Sequence, residues 1–382
     1  MIPYSRHKLF KDDLRAVNKV LKSDFLTTGP QVELFESKLK KNFSSKYVTC
    51  VNSATSALHL ACMAIGLKKG DYLWTAAISF VASANCAVYC GAKVDFVDID
   101  KETFNISLKN LSEKLKKAKK EKKIPKALVV VHMGGNPCEM KEIKNLSKQY
   151  NFKIIEDASH ATGSIYKKQI IGNCKYSNIC IFSFHPVKII TSGEGGAILT
   201  NEKEIYEKTQ MLRTHGIQKD YTKFKKKEKI GWYYEQQLLG YNYRMSDILA
   251  SLGKSQLGKL KSFTNCRNKI FNSYKKILMK YDISFQKIDK NDYSSFHLVI
   301  ILFKNKSIRD KVFTGMRENK FFVNLHYIPI YRHPFYQKKK FSISNFPNAE
   351  YYYERALSIP VYYGLENKNL LKFESVLKKI LI

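Results

Sequence analysis

Tyr47-Val48-Thr49-Cys50-Val51-Asn52-Ser53-Ala54-Thr55-Ser56-Ala57 is the stretch on which the fold turns. Five residues rich in β-branched side chains run into a short hydroxyl-bearing turn, and apolar residues then recur at helical spacing as far as Ile65. The pattern predicts a buried strand, a tight connection and a helix over Ala54 to Ile65. Working outward, the same alternation repeats. Strands are expected at Tyr72-Leu73-Trp74-Thr75, Lys93-Val94-Asp95-Phe96-Val97, Ala127-Leu128-Val129-Val130-Val131, Lys153-Ile154-Ile155-Glu156-Asp157, Ile179 to Phe184 and Gly196 to Thr200. Helices are expected over Phe80 to Tyr89 and Met140 to Tyr150. Short apolar runs bounded by helices define an α/β protein with a mostly parallel central sheet and helices on both faces.

On either side the style changes. Residues 1–30 read as an amino-terminal segment: a helix carrying Leu14, Val17, Val20 and Leu21, then the loop Phe25-Leu26-Thr27-Thr28-Gly29-Pro30. The large α/β domain spans 31–250. Residues 251–382 read as a smaller α+β domain. It starts with a long helical stretch from Ser246 to Tyr281 and continues with a strand Phe296 to Leu302, a helix Ile308 to Met316 and a strand Phe321 to Leu325. Helices over Ala349 to Leu357 and Leu370 to Ile380 close the chain.

The chain has 382 residues, 44% of them hydrophobic, enough to bury a core and to exclude wholesale disorder. Lys and Arg outnumber Asp and Glu by 66 to 33, a net charge of +33. Much of the excess lies in the runs Lys114 to Lys126, Lys223 to Lys229 and Lys338-Lys339-Lys340, which fit solvated helix faces better than base-reading surfaces. No nucleic-acid partner is expected. No run reaches the ~18 apolar residues a membrane span needs, and Met1-Ile2-Pro3-Tyr4-Ser5-Arg6-His7 has no apolar signal core, so a soluble cytoplasmic protein is expected. The 8 cysteines are scattered without CxxC or zinc-finger spacing, which points to reduced thiols and no metal site.

Four features of the α/β half carry chemistry. Asn52-Ser53-Ala54-Thr55-Ser56-Ala57 opens a helix with amides and hydroxyls, a natural phosphate cradle, though Ser and Thr also cap most helices. Asp157 ends an apolar strand, where it can hold a cationic ring nitrogen or simply cap the next turn. Lys188 leaves the buried run Phe182-Ser183-Phe184-His185-Pro186-Val187 ahead of Ser192-Gly193-Glu194-Gly195-Gly196, and desolvation there makes a nucleophilic amine. Gly240-Tyr241-Asn242-Tyr243-Arg244-Met245-Ser246-Asp247 opens a helix, with Ser246 or Asp247 as its cap.

A phosphate cradle, a ring-nitrogen carboxylate and a Schiff-base lysine, in that order, are what pyridoxal 5′-phosphate (PLP) requires. With these motifs, and from Leu26-Thr27-Thr28-Gly29-Pro30 to Ala356-Leu357-Ser358-Ile359-Pro360, the chain resembles the DegT/DnrJ/EryC1/StrS sugar aminotransferases, which have the fold-type-I architecture of PLP-dependent transferases. Ile2-Pro3-Tyr4-Ser5, Ile78-Ser79-Phe80-Val81-Ala82-Ser83-Ala84-Asn85, Phe182 to Lys188 and His326-Tyr327-Ile328-Pro329-Ile330-Tyr331 make it most similar to the pseudaminic-acid branch.

The resemblance implies roles residue by residue. Lys188 would form the Schiff base with PLP and then act as the base, and Asp157 would keep the pyridine nitrogen protonated. Phe80 would stack on the cofactor face, with ordinary core packing as the alternative, and His160 would lie beside the phenolic oxygen. Ala54, Thr55 and Ser183 would contact the phosphate, and Asn242 would reach it from a second subunit, so a homodimer is expected. A UDP-linked keto sugar would lie against Tyr4, Asp24, Phe25, Leu26, Thr27, His326, Tyr327, Ile328 and Pro329, each of which could equally be loop packing. Lysine rather than histidine at 188 favours transamination, from L-glutamate to C4 of the sugar, over 3-dehydration. The phosphate turn Ser53-Ala54-Thr55 and the loop Met133-Gly134-Gly135-Asn136-Pro137 depart from the commoner family patterns of Gly-Thr and Tyr-Gly.

Overall fold

The computed structural model describes residues 1–226, 230–338 and 341–381. Lys227, Lys229, Lys339 and Lys340, parts of two of the basic runs, lie outside them. Seven short strands form one sheet in the order Tyr47–Val51, Gly196–Thr200, Ile179–Ser183, Lys153–Asp157, Ala127–Val131, Tyr72–Ala76, Lys93–Val97. All run parallel except Gly196–Thr200, which is antiparallel to both its neighbours. Every residue of Ala127–Val131, Ile179–Ser183 and Gly196–Thr200 is buried, as expected of a sheet covered on both faces.

Register sets the site. Asp157 pairs with Ile181 and with Val131, so the carboxyl ends of three adjacent strands stop at one edge. The reversed strand starts at that edge, with Gly196 between Ser183 and Val51. A Cβ at Gly196 would stand 2.6 Å from the Ser53 carbonyl and the Ala54 nitrogen, so only glycine lets this strand lie against the turn that starts helix Ala54–Ala64.

A second sheet joins Ile283–Phe285, Val299–Phe303 and Ala356–Ile359, all antiparallel. Its outer face packs with helices Leu260–Leu278, Lys306–Glu318 and Asn367–Leu381 in a second apolar cluster, while Leu298, Ile300 and Leu302 join the core of the large sheet. Helix Leu260–Leu278 follows from a stripe at Phe263, Arg267, Ile270, Tyr274 and Leu278. Residue 250 lies inside helix Asp247–Leu257, which packs on helices Lys11–Leu21 and Pro30–Phe43.

Several sequence expectations change here. The helical stretch from Ser246 to Tyr281 is two helices, Asp247–Leu257 and Leu260–Leu278. The helix expected to reach Leu357 ends at Arg355, and Ala356 and Leu357 instead pair with Leu302 and Ile301. Burial against a long-range partner overrides a locally helical pattern at that point. The strand from Phe296 begins at Val299, because Phe296 turns into the left-handed region at φ 45°. Of Phe321 to Leu325 only Phe321–Phe322 is strand, paired in parallel with Ile2–Pro3. Among the described residues no helix is long and apolar enough to cross a membrane.

Candidate active site

The carboxyl edge of the large sheet opens into a cavity of about 420 Å³. Three separate parts of the chain build it. The floor comes from the ends of the Lys153–Asp157 and Ile179–Ser183 strands, one wall from the Ser53 turn, and the roof from Tyr4, His326 and Tyr327.

At the wall, Ser53 caps helix Ala54–Ala64, its Oγ accepting the Ser56 amide at 3.1 Å, and its carbonyl takes the Ala57 amide at 3.0 Å. The amides of Ala54 and Thr55, first and second in the helix, therefore have no intrahelical acceptor, and both residues line the cavity. With the helix dipole behind them they are an anion site, and the hydroxyl-bearing Ser183 lines the cavity with them.

On the floor, Asp157 is buried, its Oδ1 accepting the Ser159 amide at 3.2 Å and its Oδ2 the Ser83 hydroxyl at 2.7 Å. Lys188 lines the same cavity. Desolvation pushes its amine down to about 8 from the usual lysine value, while the Asp157 charge opposes the shift. A carboxylate facing one group and a readily deprotonated amine facing another, beside an anion cradle, fit the pyridine nitrogen, the aldehyde and the phosphate of PLP.

The roof is aromatic. His160 Nδ1 accepts the Gly134 amide at 3.4 Å, so its Nε2 carries the proton toward the Tyr327 hydroxyl, 3.0 Å away. Burial first, and then the Lys188 charge, hold His160 well below the ordinary histidine range. The same two causes bring His326 down to about 3. Tyr4 lies 4.8 Å from the His326 ring. Burial also pushes the Tyr327 phenol up. Phe80 is not core: it is 55% exposed at the cavity, its ring 5.9 Å from that of Tyr327.

Eleven positions of one chain thus converge: Tyr4, Ser53, Ala54, Thr55, Phe80, Asp157, His160, Ser183, Lys188, His326 and Tyr327. Others do not line the cavity. Asp24, Phe25, Leu26, Thr27 and Asn242 are exposed, Ile328 is exposed, and Pro329 is buried beyond the roof. Asp247 is not the cap of its own helix. That is Ser246, whereas the Asp247 carboxylate takes the Gly29 and Gln31 amides at 2.8 and 2.6 Å and so caps helix Pro30–Phe43. Ser83, Ser159 and His297, whose ring stands 4.4 Å from that of His160, carried no role in the sequence reading. Four-residue spacing of Ser79 and Ser83 at a helix start was the available signal.

Fold and cavity together fit a PLP-dependent aminotransferase. Residues 8–378 match the model of the DegT/DnrJ/EryC1/StrS aminotransferase family, and the chain belongs to that family. The UDP-4-amino-4,6-dideoxy-N-acetyl-β-L-altrosamine transaminase of Campylobacter jejuni (serotype O:23/36, strain 81-176) is 40% identical over 97% of this chain and 94% of its own. The spore coat polysaccharide biosynthesis protein SpsC of Bacillus subtilis is 32% identical, over 97% and 94%. Among solved structures, Helicobacter pylori PseC, an aminotransferase involved in the biosynthesis of pseudoaminic acid, superposes with a TM-score of 0.91 at 29% identity, covering 99% and 98% of the two chains. Spr1654 of Streptococcus pneumoniae in its PLP-form gives 0.87 at 25% identity over 100% of both.

Proposed function

We propose that the enzyme moves the amino group of L-glutamate to C4 of a UDP-linked 4-keto-6-deoxy-HexNAc. The product would be UDP-4-amino-4,6-dideoxy-N-acetyl-β-L-altrosamine, a precursor for pseudaminic acid. The observation that carries this reading is Lys188 and Asp157 sharing one cavity with the free amides of Ala54 and Thr55. The 40% identity to the Campylobacter transaminase supports the choice of sugar.

When bound, PLP supplies an electron sink and a carbon able to carry the amine between the two substrates. The amides of Ala54 and Thr55 and the Ser183 hydroxyl hold the phosphate, with the dipole of helix Ala54–Ala64 adding roughly 0.3–1 kcal/mol. Asp157, held by the Ser83 hydroxyl, would keep a proton at the pyridine nitrogen. Lys188, its amine lowered to about 8, would remove the proton from the α-carbon of L-glutamate in the first half-reaction and deliver a proton to C4 of the keto sugar in the second. His160, held neutral by its buried position, donates toward Tyr327 and keeps a second cation away from the lysine. Phe80, half-exposed at the cavity, would cover the ring face and exclude water.

A homodimer completes the site in this reading. Asn242 is exposed, and the preceding loop carries Trp232, Tyr234, Leu238 and Leu239 at 74%, 57%, 41% and 78% exposure, an apolar surface suited to a second copy. Asp24 to Thr27 lie exposed as well, available to a bulky nucleotide sugar or to the partner.

The test is spectral. Purified enzyme loaded with PLP should show a visible band that L-glutamate bleaches, and the UDP-4-keto-6-deoxy sugar should restore it while NMR identifies the amino product. Bleaching only by another donor refutes L-glutamate. Restoration only by a D-gluco-series sugar moves the assignment to a different nucleotide-linked 4-keto-6-deoxy substrate.

A further inference from the structure

We infer that Ser83, steered by Ser79, is a positioning residue for Asp157, the two hydroxyls forming a relay that sets the direction of the carboxylate. The inference rests on Asp157 facing the ring nitrogen of PLP, as proposed above. Ser83 is 0% exposed on helix Ala82–Tyr89, and its Oγ lies 2.7 Å from Asp157 Oδ2, 74 residues away in sequence. Ser79 is 2% exposed, lines the cavity, and its Oγ lies 2.8 Å from that of Ser83.

Proton counting orients the chain. A serine hydroxyl has one proton, and a carboxylate oxygen only accepts. Ser83 therefore donates to Asp157 and has none left for Ser79, so Ser79 is the donor between the two hydroxyls. With Ser159 donating to Oδ1 at 3.2 Å, each carboxylate oxygen receives one bond from this chain and keeps a lone pair. The carboxylate is thus held at both oxygens yet remains able to accept one further proton-bearing group, which a ring N–H supplies.

The surroundings of Ser83 do not need a hydroxyl for packing. Its helix buries Ala82, Ala84 and Ala87 beside it, and alanine at 83 would pack equally well. What needs the hydroxyl is the buried carboxylate, because a charged acceptor stripped of a donor is costly to keep in place. The bond from Cys86 Sγ to the Ser83 carbonyl, 3.4 Å, fixes the same turn from the other side.

Ser83→Ala, Ser79→Ala and the double variant would be stripped of cofactor, titrated with PLP, and compared with wild type in dissociation constant, visible absorption maximum of the loaded enzyme, and thermal midpoint without PLP. Loss of a bond to a charged group should raise the Ser83→Ala dissociation constant on the order of tenfold and shift the absorption maximum, a spectral change that the fall in the PLP-free midpoint from the bared carboxylate does not by itself produce. Ser79→Ala should weaken binding less, about two- to threefold, and the double variant should match Ser83→Ala, because Ser79 acts only through Ser83. A Ser83→Ala enzyme with wild-type affinity and spectrum overturns the relay, as do additive effects in the double variant. Should Ser83→Ala not fold, Ser79→Ala decides alone, and wild-type affinity and spectrum there overturn it. A wild-type protein that takes up no PLP at all breaks the cofactor reading of Asp157 instead.

Discussion

Glu156 and Asp157 are neighbours on one strand, and their surroundings could hardly differ more. Strand geometry sends consecutive side chains to opposite faces of the sheet. Glu156 is sealed, its oxygens taken by the Ser177 hydroxyl and by His132 Nε2 at 3.0 Å. His132 in turn accepts the Cys138 amide on Nδ1 at 3.0 Å, so its one ring proton sits on Nε2 and points at Glu156. Asp157 opens on the cavity, with Lys188 sharing it and a lone pair left on each oxygen. The same functional group is therefore a structural staple on one face and a reactive-site ligand on the other. Each carboxylate receives one donor per oxygen, so access makes the difference: Asp157 lines the cavity where a ligand can reach it, and Glu156 is enclosed on the opposite face.

The sharpest way to break this contrast is at the cavity. Lys188→Ala should cut turnover by about a thousandfold or more, as expected for loss of a positioned base, while the protein still folds. Steady-state rates beside circular dichroism check it, and substantial residual activity would move the base elsewhere. Asp157→Asn comes next, with turnover down by about a hundredfold and the thermal midpoint little changed.

Glu156→Gln should behave oppositely, losing about 2 kcal/mol of stability in urea unfolding because it disturbs two bonds to a buried charge, while PLP affinity and rate stay near wild type. If Glu156→Gln instead abolishes activity in a stable protein, the two faces are not separate.

Two pH experiments refine the picture. Capture of PLP by the cofactor-free enzyme requires the uncharged Lys188 amine, so its rate should rise about tenfold per pH unit up to about 8 and then level off. A plateau reached only near the ordinary lysine range would remove the desolvation argument. On the roof, His326 falls to about 3, and His160 and His297 also lie well below the usual value. Below the histidine value of about 6.5 the unfolded chain binds protons that these folded side chains refuse. Stability is therefore full above that pH and is lost as the pH falls, by about 1.4 kcal/mol per unit toward 3 for His326, with His160 and His297 adding to the loss in the same direction. Urea midpoints at neutral and mildly acidic pH measure the slope.

How much of this was legible in sequence depends on how local each signal is. The strands at Tyr47–Val51, Lys93–Val97, Ala127–Val131, Lys153–Asp157 and Gly196–Thr200 stand where their apolar runs predict. Ala356 and Leu357, the first half of strand Ala356–Ile359, read locally as the end of a helix, because nothing local records that Val299–Phe303 waits to pair with them. In the cavity, Lys188, Asp157, Ala54 and Thr55 were found from strand ends and a capped turn, features written within a few residues. Ser83, His297 and the capping of helix Pro30–Phe43 by Asp247 were not, since each acts on a residue far away in the chain.

By itself, then, the sequence determined the alternation of strand and helix, the family, and the position of each reactive group at the end of a strand, because periodicity and turn chemistry are short-range. Only the tertiary structure decided that Gly196–Thr200 runs backward through the sheet, and that Tyr4 and Tyr327, from opposite ends of the chain, roof one cavity. It also decided which of two adjacent carboxylates opens on the cavity. Those outcomes depend on partners brought together by burial of a common core, and no window of sequence contains both members of such a pair.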